Sequence, residues 1–542
     1  MPYILFCMIP APAMSRNPDT LERQRFDVLI VGGGINGAGL ARDLALRGLQ
    51  VALVDKGDFA CGTSSASTKL IHGGLRYLEN FDFGLVFEAC RERQVLQRIA
   101  PHLVRPLRFY IPVYRGDRRP FWMIRAGMVL YDLLALMRNT GHHSVLTPRR
   151  ALAREPALIA DGLRGVAAYW DCAMDDARLC LENVIAAAEA GATVANYMRL
   201  AGFSMKDGRI VGAELIDEES GREFGVEAEI VVNMTGPWLD QVRAMAGDHE
   251  PMLRTTRGAH IMVPRINRGD EAIYLSTAED NRLFFVIPWG ELSLVGTTDT
   301  DTDQPPEEAV ATDEDIDYLL AATRRHLHGT ELSRDSIVST FAGLRPLVAD
   351  TRDTASNVSR EHRVFESASG LFSVGGGKYT TYRAVAEEVA GRIVSRLGRG
   401  RGESRTANLG LPGGVDFTNI GKRLSEKSTL SAGMVERLFG RYGARATELV
   451  ALAEAEPRLT EPIVTGSELT WIEVDYAVCC EQARTPEDVL RRRTDVALKQ
   501  GRGLAELEAI AERMQQLLAV DEDTKQQWKW EYEARYSHIG RS

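Results

Sequence analysis

Three glycines, Gly32, Gly34 and Gly37 in "FDVLIVGGGINGAGLARDLALRG", leave a stretch of main chain with almost no side chains. Bare backbone of this kind lets N–H groups approach a pyrophosphate, and the G-x-G-x-x-G spacing lets a helix pack closely on the preceding strand. Asn36 lies inside the same turn. Asp55 ends "QVALVD" about 20 residues further on, and its carboxylate is the type of group that accepts hydrogen bonds from a ribose. The chemistry these residues point to is dinucleotide binding. A second glycine cluster, Gly375 to Gly377, stands before "KYTTYRAVAEEVAGRIV" and raises the question of what a second such turn would serve.

The elements needed to position these groups can be read around them. Phe26 to Val31 are apolar and β-branched enough for a buried parallel strand, Ile35 to Arg47 have helical character ending at Gly48, and a second strand runs into Asp55. "GTSSASTKLIHGGLRYL", residues 62 to 78, has neither strand alternation nor a long apolar stripe, so it reads as a loop wrapped around something polar. "AEIVVNMTGPW" reads as a strand running into Thr235 and Gly236, which brings a distant part of the chain back to the nucleotide fold. The late glycines read as a strand exit opening a helix. None of this separates NAD from FAD.

Composition narrows the class. A chain of 542 residues, 44% of them hydrophobic, is expected to form two or three domains. The excess of 75 acidic over 65 basic residues, a net charge of −10, argues against nucleic acid as a partner. Seven cysteines, an odd number with no CxxC pair, point away from a disulfide framework or a zinc site and towards a reducing, cytosol-facing location. The N-terminal "MPYILFCMIPAPAMSRNPDT" lacks the basic start of a secretory signal and reads as a disordered extension over residues 1–24, with Met14 a candidate start. No apolar run reaches the ~18 to 20 residues needed to cross a bilayer.

Taken together, "GGGINGAG", "TSSASTKLIHGGLRYL", "VVNMTGPW", "RGAHIMVP", "FFVIPW", "VGTTDTD", "GLRPL" and "GGGKYTTYR" closely resemble the FAD-dependent, quinone-linked glycerol-3-phosphate dehydrogenases, from about Phe26 to Pro412. Met234 and Tyr379 depart from that family's usual alanine and leucine. The resemblance implies an α/β fold: an FAD-binding Rossmann-like domain of the amino-acid-oxidase type with an interleaved β-sheet substrate domain, together over residues 25–411, and a C-terminal α-helical domain over 412–542. It implies FAD in an extended pose, with the first glycine turn at the pyrophosphate and the late one at the flavin. Thr63, Ser64, Ser65, Lys69, Leu70, His72, Thr235, Gly236, Gly377, Lys378, Tyr379 and Thr380 join the first turn and Asp55 as cofactor-binding candidates.

The implied reaction is oxidation of sn-glycerol 3-phosphate to dihydroxyacetone phosphate by hydride transfer to FAD, with electrons passed to membrane quinone. Alternatives are an oxidase that uses O2 and a related amino-acid oxidase. A dianionic phosphate calls for Arg and Lys. The family motifs mark Arg76, Tyr77 and Arg360 for substrate binding, Arg345 and Lys378 for electrostatic stabilisation, and His260 as base or proton shuttle. Quinone is confined to lipid, which implies peripheral contact with the cytoplasmic face of the inner membrane, a cytoplasmic location being the alternative. "RRPFWMIRAGMVLYDLLALMR", residues 118 to 138, suits that contact, with basic residues beside Phe121, Trp122 and Tyr131. A core helix is the competing reading of it, and a homodimer is left open. In the C-terminal part Thr485 is a candidate N-cap, and Arg491 to Arg493 read as a solvated helix face.

Overall fold

Strand Phe26–Val31 lies between Val51–Val54 and Glu223–Asn233, pairing parallel with both. These strands are the middle of an eight-stranded sheet whose main path also takes in Thr193–Ala195 on one side and Phe372–Gly376 and His362–Glu366 on the other. Val28, Leu29 and Ile30 are fully buried, as strands covered on both faces require. Helix Ile35–Leu46 packs on this sheet and against helices Asp176–Glu189 and Tyr382–Leu397. Gly39 permits the close approach, because a Cβ there would sit 2.8 Å from the Tyr382 ring. The computed structural model describes residues 14–75, 82–135, 140–277, 282–328, 332–349, 362–400 and 402–538.

A second, ten-stranded sheet interleaves with the first along the chain, and its long strands Leu253–Pro264 and Ser339–Val348 pair antiparallel. In that register Thr256 faces Arg345 and His260 faces Phe341. Side chains alternate along a strand, so residues 256, 258 and 260 share one face with Arg345. Gly258 stands between them, and a Cβ there would lie 2.5 Å from Arg345 Nη2. The glycine is what lets the guanidinium lie across the strand. The hydroxyl-rich loop passes from one sheet to the other, since Leu70–Ile71 pairs with Leu163–Met174.

After Leu411 the chain is helical, from Phe417–Lys427 to Glu522–Tyr536, with its own apolar clusters. Arg491 to Arg493 correct the solvated-face expectation. They lie in a π-helical turn, Asp488–Arg493, and all three are buried. Arg493 donates to both oxygens of the buried Asp58 (2.5 and 2.9 Å), Arg492 donates to Asp58 (2.6 Å), and Arg491 donates to the Ser65 carbonyl (2.7 Å). Buried charges survive when they are paired and hydrogen-bonded, and here the partners Asp58 and Ser65 lie on the segment that follows strand Val51–Val54.

The N-terminal expectation is also corrected for residues 14–24. Met14 and Leu21 are buried, Pro18–Arg23 is helical, and Arg16 pairs with Asp217. Residues 1–13 lie outside the described residues.

Candidate active site

One continuous cleft runs between the two sheets. Gly32, Gly34 and Asp55 line it at the first glycine turn, His260 and Arg345 line it from strands Leu253–Pro264 and Ser339–Val348 of the second sheet, and Lys378 lines it from the turn after Phe372–Gly376. At the first glycine turn Gly32 has φ +111°, a region that favours glycine, and a Cβ there would meet the Met234 carbonyl oxygen at 2.5 Å. Gly34 caps helix Ile35–Leu46 with no side chain of its own, and Ser64 Oγ accepts from Ile35 N (2.9 Å). Asp55 accepts from Gly33 N (2.6 Å) and Gly57 N (3.0 Å), which leaves carboxylate lone pairs for a further donor. Burial pushes its carboxyl up to about 6 against the opposing pull of those two N–H groups. Asn36 Oδ1 is buried and has no partner among the described residues.

At the late glycine turn Gly376 and Gly377 both have positive φ and lead into Lys378, which caps a short turn opening helix Tyr382–Leu397. Thr380 Oγ1 accepts from His72 N (3.2 Å), tying this turn to the hydroxyl-rich loop. Arg345 is anchored among the described residues on Asp299 Oδ1 (2.8 Å), the Thr298 carbonyl (3.2 Å) and Thr297 Oγ1 (2.9 Å). His260 is buried with its ring stacked on Phe341, centroids 4.7 Å apart. Burial, reinforced by Arg345, Lys69 and Arg491, holds its pKa well below the usual histidine range, so the ring is neutral at neutral pH.

The structure brings most of the expected residues to this cleft: Thr63, Ser64, Leu70, His72, Thr235, Gly236, Gly377, Tyr379 and Thr380 all line it. Three do not. Gly37 packs the helix against the turn, Lys69 is buried in an ion pair with Asp176, and Ser65 is buried with its carbonyl turned to Arg491. Each supports the cradle from behind. Tyr379 reaches past the cleft to donate to the Asp176 carbonyl. Arg76, Tyr77 and Arg360 lie outside the described residues.

The sequence reading missed Thr68, Asp299 and the wall formed by Tyr274 and Phe285, whose rings stack with centroids 4.6 Å apart. Asp299 and Phe285 fall within "VGTTDTD" and "FFVIPW", so the motifs marked the segments without marking the side chains.

A cleft that joins a glycine cradle to buried cations suits a flavin-dependent oxidoreductase, and the chain belongs to that family: residues 27–392 match the model described as FAD dependent oxidoreductase. Residues 404–525 match the C-terminal domain of alpha-glycerophosphate oxidase. The chain is 39% identical to the glycerol-3-phosphate dehydrogenase of Synechocystis sp. over 89% of this chain and 91% of that one. It is 37% identical to the mitochondrial glycerol-3-phosphate dehydrogenase of Homo sapiens over 95% of this chain and 74% of that one. The solved glycerol-3-phosphate dehydrogenase of Bacillus halodurans, complexed with FAD, superposes with a TM-score of 0.81 at 29% identity, covering 97% of this chain and 98% of that one.

FAD suits the residues present. The Gly32 turn at positive φ, the side-chain-free Gly34 at the N-terminus of helix Ile35–Leu46 and the buried Asn36 Oδ1, without a partner among the described residues, form a cradle that side chains would fill.

Proposed function

We propose that this protein oxidises sn-glycerol 3-phosphate to dihydroxyacetone phosphate and passes the electrons to a membrane quinone. The observation that carries this reading is one cleft lined both by the nucleotide-type groups of the first glycine turn and by His260 and Arg345 from paired strands of the second sheet, with Lys378 also lining it. Bound FAD supplies the hydride acceptor. Arg345, fixed by Asp299 and the Thr298 carbonyl, sets positive charge where the C2 oxygen of the substrate becomes alkoxide-like, and Lys378 adds to it. Neutral His260 is the base for the hydroxyl proton, a role closed to an arginine that is always protonated. Arg76, Tyr77 and Arg360 complete the phosphate site, and FAD is held by the cleft-lining residues of the two glycine turns and of the hydroxyl-rich loop between them.

Helix Phe121–Leu134 supports a lipid-facing location. Met128 and Tyr131 are buried, while Trp122 (71% exposed), Leu133 (63%), Val129 (48%) and Met123 (38%) point outward beside the exposed Arg125. An outward apolar face flanked by a cation is the pattern of an interfacial helix. No helix among the described residues is long and apolar enough to cross a membrane. We therefore assign the protein a peripheral seat on the cytoplasmic face of the inner membrane.

Anaerobic mixing of the FAD-loaded protein with glycerol 3-phosphate tests the reaction. Bleaching of the visible flavin band, followed by recovery on adding a quinone, is expected. Stoichiometric peroxide in air with no response to quinone would make it an oxidase, and bleaching by amino acids in place of glycerol 3-phosphate would overturn the substrate.

A further inference from the structure

A hydroxyl stands beside His260 at the cleft. Thr68 and His260 both line it, but Thr68 is half-buried whereas His260 is only 1% exposed. Thr68 Oγ1 lies 3.0 Å from His260 Nε2. His260 Nδ1 is buried without a partner among the described residues, so Thr68 is the ring's hydrogen-bond partner among them, and its hydroxyl donates to Nε2 when the ring proton sits on Nδ1. The ring has little room to turn. Phe341 stacks on it at an interplanar angle of 13°, and the Cδ2 side lies so close to Gly296 that a side chain there would overlap it.

Thr68 is also held in place. Asp176 accepts from Ser67 N (3.1 Å) and Ser67 Oγ (2.7 Å) on one side of it and pairs with Lys69 on the other. Lys69 itself takes a positive φ of 57°, which turns the chain at this point. The charged groups acting on His260, from three separate segments, are Lys69, Arg345 and Arg491. All are cations, so the imidazole has no acidic neighbour among them to receive its proton.

We propose that the Thr68 hydroxyl carries the substrate proton to His260. As the C2–O–H bond of glycerol 3-phosphate breaks, its proton goes to Thr68 Oγ1 while the proton already on Thr68 passes to His260 Nε2. One proton enters the threonine and one leaves it. The C2–H bond breaks in the same oxidation, its hydride going to FAD, so that the alcohol loses two electrons, C2 and oxygen form a carbonyl, and the flavin is reduced. The inference rests on the reading of His260 as the base, and it gives a base that is only 1% exposed a hydroxyl through which to receive the proton.

Rapid anaerobic mixing of FAD-loaded Thr68→Val, Thr68→Ser and His260→Asn with glycerol 3-phosphate tests it, with bound flavin quantified in each protein. Thr68→Val keeps the shape and removes the hydroxyl. It should slow the limiting rate of flavin bleaching by roughly 100-fold or more, the scale of acid–base catalysis. Its half-saturating substrate concentration should stay within about threefold, because ground-state binding is untouched. Thr68→Ser should restore most of the rate. Wild-type bleaching in Thr68→Val with slow His260→Asn would overturn the relay and leave His260 taking the proton directly. Wild-type bleaching in His260→Asn would overturn the base reading itself. Equal slowness in Thr68→Val and Thr68→Ser would show a packing role and sink the relay. Thr68→Ala gives the same comparison if Thr68→Val retains no FAD.

Discussion

Arg345 Nη1 donates to Asp299 Oδ1 at 2.8 Å, and the two side chains, 22% and 13% exposed, both line the cleft. The carboxylate does not cancel the arginine's function so much as aim it, because a fixed guanidinium gives up little conformational freedom when an anion arrives. Arg345→Ala should lower kcat/KM for glycerol 3-phosphate by ten- to hundredfold, matching the ~1.5 to 3 kcal/mol of a charge-assisted hydrogen bond. Asp299→Asn, which keeps an acceptor, should lose less. Steady-state kinetics on proteins of equal flavin content checks both, and an unchanged Arg345→Ala would place the phosphate and alkoxide elsewhere.

Asp55 makes a prediction about pH in the FAD-free protein. Its folded pKa, about 6, is raised above the unfolded value near 3.8. A raised pKa means the carboxyl's contribution is fully present below the unfolded value and is lost as pH rises through about 6. Relative to Asp55→Asn, the apo wild type should therefore lose about 1 to 3 kcal/mol of stability between pH 4 and 6. Urea unfolding across that window reads it, and parallel curves would refute it. Asp55→Ala should also release FAD faster on dialysis, since the ribose loses its acceptor.

The helix Phe121–Leu134 gives a fractionation test. Trp122→Glu with Leu133→Glu changes two side chains that are 71% and 63% exposed, so the fold should tolerate both. The wild type should sediment with membranes and be released by detergent, whereas the double variant should be found in the soluble fraction with substrate bleaching of its flavin intact. A freely soluble wild type that still reduces quinone would remove the lipid contact.

Breaking the Arg493–Asp58 pair should be far more damaging than any of these. Arg493 and Asp58 are both buried, and Arg493→Ala would leave the carboxylate short of its principal counter-charge. The expected loss is about 3 to 5 kcal/mol, with Arg493→Met plus Asp58→Asn milder than Arg493→Ala alone. Thermal unfolding of the three proteins decides it, and a double variant as unstable as the single one would contradict the account.

The first glycine turn was legible in the sequence because its parts, Gly32 to Asp55, are neighbours along the chain and obey one local geometry. The substrate end was legible only as motif segments. Thr68 and His260 meet across 192 residues, and no spacing rule connects them. Arg491 to Arg493 misled for the same reason: three arginines in a row look alike whether they face water or an aspartate 435 residues away. For residues 118–138 the sequence offered a lipid face and a core helix almost equally, since apolar residues lie on most of the circumference. Folding divides them. Tyr131, expected at the lipid, instead donates to the buried Asp171 at 2.8 Å, and Trp122 is left outside.

Synthesis runs from the N-terminus, so Asp58 leaves the ribosome 435 residues ahead of Arg493. At ~5 to 20 residues per second the gap is roughly 20 to 90 s. Throughout that interval the carboxylate that will lie beneath the nucleotide cradle has neither of its arginine partners, and burying it would leave a charge uncompensated. The final pairing of Asp58 must wait for nearly the last segment of the chain. A chain truncated before Asp488 carries every glycine of both turns but lacks the arginines that pair with Asp58.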